Sequence, residues 1–385
     1  MEPSPPGAPR FVAVDAMRGL TVGAMIFVNN PGDWSHIYGP FGHASWHGGT
    51  PTDLIFPTFL FIVGVSLALA GGPKLEAGGD TAALQRAWWW RALRIVLLGW
   101  ALALIAVFTL PSSPDDPVPW RPMGVLPRIG ICFGLVGWFY LHSSGRLRWW
   151  TYAGLLVGYG ALLLGWGDLT RDHSLPSRVD ALLLGHFAYH YNSATGLGYD
   201  PEGIVSTLGA LASTLLGVQC GEWLRRKQLP AITVTGIGLL LAGLLLHWCW
   251  VTPGSGHAAA PAPLHAALGW LPMNKALWTP PFAMFAGGFS ALMLVAVHLL
   301  IERLHLPPIG RRFGVNAITA YAGSILMVCL LDGSPLHGWI YQGLLALLGP
   351  SVDPRVPSHL YALLNVLFFW LVVWWMDKRR IRVSI

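Results

Sequence analysis

Ten stretches of the chain are continuous runs of mostly apolar residues, near the ~20 residues that a helix needs to cross a bilayer. They cover roughly 12–30, 54–72, 88–110, 123–142, 149–167, 204–223, 231–250, 281–301, 312–331 and 357–376. An eleventh stretch, LHGWIYQGLLALLG at 336–349, is short and bounded by Pro and Gly, which predicts a helix lying in the interface. The runs are long and unbroken rather than short and alternating, so they do not describe a β-barrel. With no internal repeat of 20–50 residues, the pattern predicts one domain over 1–385: an all-α polytopic transmembrane bundle of about ten spans.

Composition agrees. Hydrophobic residues make up 54% of the 385 and charged residues 11%, less than half of the ~25% usual in a soluble domain. That excludes an ordinary cytosolic enzyme, and it also excludes a disordered chain, which needs low hydrophobicity and high charge. The 20 Trp residues suit membrane interfaces. The net charge of +6 sits in short basic clusters between apolar runs, which marks orientation rather than nucleic-acid binding. With the N-terminus inside, 17 of the 24 Lys and Arg residues fall on inside segments, and counting 336–349 as a span would put the KRRIR tail outside. Ten spans with both termini cytoplasmic is therefore expected. The opening MEPSPPGAPR has no signal-peptide pattern, so the first run is expected to stay as a helix. Cys132, Cys220, Cys249 and Cys329 lie in or beside apolar runs with no CxxC pair, which argues against disulfides or a metal framework.

Polar residues concentrate in the outside segments 31–53, 111–122, 168–203, 251–280 and 332–356. The densest group is Asn29-Asn30-Pro-Gly-Asp33-Trp-Ser-His36, then Gly42-His43-Ala-Ser-Trp46-His47, then Asp53. A histidine near neutral pKa accepts and returns protons, and a neighbouring Asn or Asp fixes its tautomer. The competing readings are a capped loop with interfacial histidines, or a metal held by His36, His43 and His47, although their spacing matches no standard motif. Asp53 also stands where a helix N-cap belongs. Asp15 and Arg18 lie at membrane depth in the first run, as an i,i+3 ion pair or with Arg18 as a phosphate ligand. Segment 168–203 brings Arg178, Asp180 and His186, and then Asp200 and Glu202, which with a hydroxyl of Ser206 or Thr207 suit hydrogen bonding to a sugar, or else cap the next span. Asn274, Lys275 and Trp278 pair an amide with an aromatic platform, although Trp278 would equally anchor a helix at the interface.

Together these residues resemble the heparan-α-glucosaminide N-acetyltransferase family, including its bacterial relatives. The matching blocks are Val14-Asp15-Ala-Met-Arg18-Gly19-Leu20 with Phe27-Val28-Asn29; His43-Ala-Ser-Trp46-His47-Gly48 through Asp53-Leu-Ile-Phe56-Pro57; and Gly124-Val-Leu-Pro127-Arg128. Two more are Arg178-Val-Asp180 with Leu183-Leu-Gly-His186 and Asp200-Pro-Glu202-Gly, and Asn274-Lys275-Ala-Leu-Trp278-Thr279. The resemblance implies an acetyl group carried from cytosolic acetyl-CoA to the amine of a terminal glucosamine on the other side of the membrane. It implies His43 as the catalytic histidine, with Asn29 and Asp53 in the same site. His47 departs from the family's usual Asn, and Pro127 from its usual Gln. The luminal domain and first span of the animal enzymes have no counterpart in this reading.

On that basis Asp180, His186, Asp200, Glu202, Asn274, Lys275, Trp278, Trp46 and His47 are expected to bind the aminosugar. Arg18, Arg128, Arg91, Arg94, Arg311 and Arg312 are expected to meet the phosphates of acetyl-CoA, although each inside-face Arg also has the plainer role of orienting the chain. Neither a metal nor nucleic acid is expected. The partners are the lipid bilayer, the two substrates and, from the family, a second copy in a homodimer. A bacterial inner membrane with the acceptor site facing the periplasm fits this topology. His43 acts either as a base for the incoming amine or as a nucleophile through acetyl-imidazole, and the sequence leaves both open. A transporter for aminosugars or sugar fragments is the competing class, against which stands the lack of inverted repeats or paired broken helices. Binding of CoA separates the two.

Overall fold

A computed structural model describes residues 11–110, 120–250, 271–331 and 335–383. Arg10, the segments 111–119 and 251–270, and the side chain of Cys249 lie outside the described residues. The chain is mostly helical: α1 Val12–Asn29, α2 Ile55–Glu76, α3 Thr81–Thr109, α4 Val125–His142, α5 Gly145–Trp166, α6 Leu175–Leu184, α7 Thr207–Arg225 and α8 Leu229–Trp250. After these come α9 Pro280–Glu302, α10 Arg311–Val315, α11 Ala317–Leu331, α12 Pro335–Leu348 and α13 Arg355–Lys378. Two short antiparallel strands, β1 His190–Asn192 and β2 Leu197–Tyr199, pair in the connection between α6 and α7.

Among the described residues, seven helices are long and apolar enough to cross a membrane: α1, α2 with its preceding turn, α3, α4, α8, α9 and α13. This is a multi-pass membrane protein. Only 17% of the apolar window of α3 or α8 is buried, so leucines such as Leu93, Leu97, Leu241 and Leu245 face outward where lipid solvates them. The α7 helix is not among the seven for the opposite reason. It packs against α2, α4, α5, α8 and α9, and that shelter lets it carry Ser213, Thr214 and Glu222. The expected span 312–331 is broken at Asn316 into α10 and α11. The expected interfacial stretch is α12, whose axis turns 93° from that of α11.

The bundle is drawn together by α2 and α7, which approach through small residues, as helices in lipid do. A Cβ on Gly64 would lie 1.9 Å from the Thr214 carbonyl oxygen, and one on Gly217 would lie 2.0 Å from that of Phe61. The obstruction is backbone on both sides, so no side chain can move aside. Gly64→Ala is expected to cost about 1–3 kcal/mol or more, read as a lowered thermal midpoint in detergent; an unchanged midpoint would mean that the two helices do not meet there.

Polar groups collect in two sets at opposite helix ends. One set includes Arg225 with Glu76 (2.5 Å) and Glu222 (3.1 Å), Tyr140 bonded to Glu222, and Arg312 near Asp377 (3.6 Å). Arg18 lies nearer this set, joined to Asp15 (2.9 Å), Ser66 (2.7 Å) and the Gly314 carbonyl (3.2 Å). The other set holds the histidine loop.

Candidate active site

The loop between α1 and α2 is stitched by one carboxylate. Pro51 opens a short helical turn, Pro51–Leu54, and Thr50 with Asp53 forms a capping box around it. Thr50, not Asp53, is therefore the cap, and Asp53 is the reciprocal partner. Its Oδ2 accepts hydrogen bonds from the Thr50 N–H (3.0 Å), the Thr50 hydroxyl (3.1 Å) and the Ala44 N–H (3.1 Å). Its other oxygen, Oδ1, lies 2.7 Å from His43 Nδ1. A carboxylate only accepts, so Nδ1 carries the proton and Nε2 keeps its lone pair. The carboxylate is enclosed while the His43 side chain is 50% exposed: a fixed orienting group beneath an accessible ring.

Lys275 reaches the same place from the segment before α9. Its ammonium is 3.1 Å from His43 Nδ1, 3.3 Å from Nε2 and 3.6 Å from Asp53 Oδ1. Asn274 shapes that segment, its Oδ1 accepting from the Leu277 N–H (2.8 Å) and its amide donating to His47 Nδ1 (3.3 Å). A second tie runs from the Gly48 N–H to the Met273 carbonyl (2.8 Å). Burial, together with His247, pushes His47 down to about 4, so it stands neutral beside Asn274. Trp46 donates its indole N–H to the Leu169 carbonyl (2.8 Å) and lies beneath Arg171.

Three expected site residues are placed differently. Trp278 is fully buried, not a platform for a sugar: a left-handed backbone at φ 49° turns it inward against Phe56 and Phe282, its N–H bonded to Ser213 (3.1 Å). Arg128 is also fully buried, at the start of α4 and so at the histidine-loop end. It donates to the carbonyls of Pro201 (3.2 Å) and Gly203 (2.8 Å) and to Ser206 Oγ (2.5 Å), contacts that engage it with the chain rather than with a cofactor. Asn29 is exposed at the end of α1 and lines a cavity of about 60 Å³ with Asn30, Trp34, His337, Tyr361 and Asn365; the described hydrogen bonds do not link it to His43.

The carboxylates of the α6–α7 connection form a frame. Arg121 holds Asp200 at 2.5 Å and Glu202 at 2.7 Å. Burial opposes the charge of Glu202, yet Arg121, Arg128 and Lys275 outweigh it and hold the carboxyl below its usual range. Asp180 accepts from the Ile204 N–H (2.9 Å) and the Asp200 N–H (3.3 Å), and it packs so closely that a Cβ on Gly203 would meet it at 1.9 Å. Burial pushes Asp180 up to about 7. An acid raised on folding holds its proton longer than in the unfolded chain, so its contribution to stability is full below about pH 4 and lost as pH rises to about 7. Asp180→Asn mimics the protonated form. The difference in thermal midpoint between variant and parent should therefore grow in the variant's favour across that interval and level off above it. A difference independent of pH would refute the assignment.

His186 is exposed against Phe187. Arg91, Arg94, Arg311 and Arg312 are exposed, with Arg91 over Phe133 and Arg312 over Trp370. His36 pairs with Asp33 (2.7 Å), His43 with Asp53 and His47 with Asn274, so the three histidines are directed to different partners. Cys132, Cys220 and Cys329 are buried. The residue that sequence reasoning missed is Arg121, whose partners lie 79 and 81 positions away. The available signal was its place as the one cation of the outside segment 111–122, against the charge trend. Residues of α12 and α13 were missed too: His337, Tyr361 and Asn365 line the cavity with Asn29, while His359 is buried among Phe27, Tyr38 and Phe41.

Residues 10–176 match the model of the heparan-alpha-glucosaminide N-acetyltransferase catalytic family. The chain is 28% identical over 367 residues to the human protein named heparan-alpha-glucosaminide N-acetyltransferase, covering 82% of this chain and 52% of that one. It is 27% identical over 370 residues to the mouse protein of the same name, covering 82% and 53%. It thus spans about half the length of these curated relatives. It is also 31% identical over 229 residues to an adenosylcobinamide-GDP ribazoletransferase of Pseudomonas putida, covering 54% of this chain and 89% of that one. The acetyltransferase similarity runs over more of the chain, and its family match encloses His43, His47, Asp53 and the capping box that orients them. Through that region the chain is similar to the heparan-alpha-glucosaminide N-acetyltransferase family.

Proposed function

We propose that the protein is a transmembrane N-acetyltransferase that moves an acetyl group from cytosolic acetyl-CoA to the amine of glucosamine or a terminal glucosaminide on the periplasmic side of a bacterial inner membrane. The observation that carries this is the His43–Asp53 pair, with an accessible ring above a fixed carboxylate, inside the family's catalytic region. The proposed topology is a single domain of ten spans with both termini cytoplasmic, in which α10 and α11 together make one span and α12 lies at the interface.

Acyl transfer to an amine needs the amine neutral and the thioester carbonyl polarised. Asp53 fixes the tautomer of His43, and Nε2 takes the proton that the acceptor amine sheds. In the covalent variant Nε2 instead attacks the carbonyl carbon, the C–S bond breaks, and the amine then takes the acetyl group from the imidazole. The Lys275 ammonium, 3.3 Å from Nε2, lies where it would offset negative charge developing on the carbonyl oxygen. Trp46, His47 and Asn274 form the wall of the acceptor site nearest the ring, and His186 stands at its rim. Asp180, Asp200, Glu202, Arg121 and Arg128 frame that wall. On the opposite face, Arg18, Arg91, Arg94, Arg311 and Arg312 receive the acidic end of acetyl-CoA, whose thiol-bearing arm passes between helices.

The test is purified protein in detergent with labelled acetyl-CoA and glucosamine. Labelled N-acetylglucosamine supports the reading. Absence of both product and CoA binding would overturn it in favour of an aminosugar transporter.

A further inference from the structure

The proposed reaction brings an amine to a base, and the chain already holds an amine there. Lys275 Nζ lies within 3.3 Å of both ring nitrogens of His43 and 3.6 Å from Asp53. Its position is fixed by the turn behind it: the Trp278 N–H bonds the Lys275 carbonyl (3.0 Å), Asn274 ties the Leu277 N–H, and the fully buried Trp278 anchors the whole. The chain has three other lysines, Lys74, Lys227 and Lys378, all exposed. Burial lowers the basicity of Lys275, with Glu202 and Asp53 opposing, so its neutral form is more available than that of a hydrated lysine.

We propose that Lys275 is a self-acetylation site: when no aminosugar fills the acceptor position, its ε-amine takes the acetyl group in the sugar's place. The inference rests on the acetyl-transfer reading above. The Nζ lone pair attacks the thioester carbonyl carbon, the C–N bond forms and the C–S bond breaks. CoA leaves as the thiol, and the surplus proton on Nζ passes through His43 Nε2 to the departing sulfur. No further reactant is needed. The product is an amide, which His43 cannot return to CoA as it could an acyl-imidazole. The modification removes the cation beside Asp53 and leaves an acetyl group against His43. An enzyme supplied with donor but starved of acceptor would therefore switch itself off.

The purified full chain is incubated with acetyl-CoA alone, and acetylation of each lysine is followed by peptide mass spectrometry. A parallel sample receives glucosamine, and its sugar product is measured. Held beside the base, Lys275 should be acetylated about tenfold or more faster than Lys74, Lys227 and Lys378. Glucosamine should slow that modification, and so should His43→Ala. Transfer activity should fall in step with acetylation in the parent, while the residual activity of Lys275→Arg should not decay during preincubation. Equal acetylation of all four lysines, acetyl on His43 alone, or no protein acetylation while acetylglucosamine forms would overturn the proposal and leave the transferase reading standing. If neither protein nor sugar is acetylated, the transferase reading fails and this inference falls with it. Acetylation of Lys275 without sugar product would support the inference and redirect the search for the acceptor.

Discussion

His43→Ala is expected to lower acetyl transfer by about 10²–10⁴-fold, the usual contribution of a positioned acid–base group, with little loss of stability because half of the side chain is exposed. The ring contributes Nε2, and Asp53 cannot stand in for that lone pair because it is enclosed by its own donors. Asp53→Asn should produce a comparable loss for a different reason. An amide in that position can donate to Nδ1, which moves the ring proton to Nε2 and abolishes the free lone pair. The comparison is made at saturating acetyl-CoA, with thermal midpoints measured alongside. Near-parental turnover by either variant would remove the pair from its role.

The largest effect on stability is expected from Arg128→Met. The guanidinium is fully buried and serves two carbonyls and a hydroxyl, in the field of Glu202, Asp200 and Asp180. Removing one partner from such a network leaves the others buried without compensation, at a cost of about 3–5 kcal/mol. Lysine should not rescue it, because a point charge cannot reproduce a planar fork that bonds acceptors on two sides. The readout is the thermal midpoint in detergent and the fraction recovered as a single species on size exclusion. A midpoint within a degree or so of the parent would mean that Arg128 does not hold the α6–α7 connection to α4.

The helices that face lipid were plain in the sequence, since lipid demands continuous apolar surface and that demand is local. Where protein replaces lipid as the neighbour, the signal weakened: α7 is sheltered enough to carry Glu222, and Asn316 interrupts a run that hydropathy alone reads as continuous. At the histidine loop, residue types marked a polar cluster and the family resemblance implied His43 and Asp53 within it, but the capping box that aims Asp53 emerges only once Pro51 starts its turn. Long-range pairings had no local signature. Lys275 meets His43 across 232 positions, and Arg121 meets Asp200 across 79. Trp278 misled because aromatic residues beside a loop are usually exposed, whereas here the backbone turns the ring into the core.

The central claim is transfer between opposite sides of one membrane. It is tested most directly in proteoliposomes sorted for a single orientation, with acetyl-CoA supplied at the face bearing Arg311 and Arg312 and glucosamine at the face bearing His43. The account predicts N-acetylglucosamine only on the His43 side, and none when the two substrates are exchanged. Product formed only when both substrates share one compartment would contradict it, and so would glucosamine that crosses the bilayer unchanged.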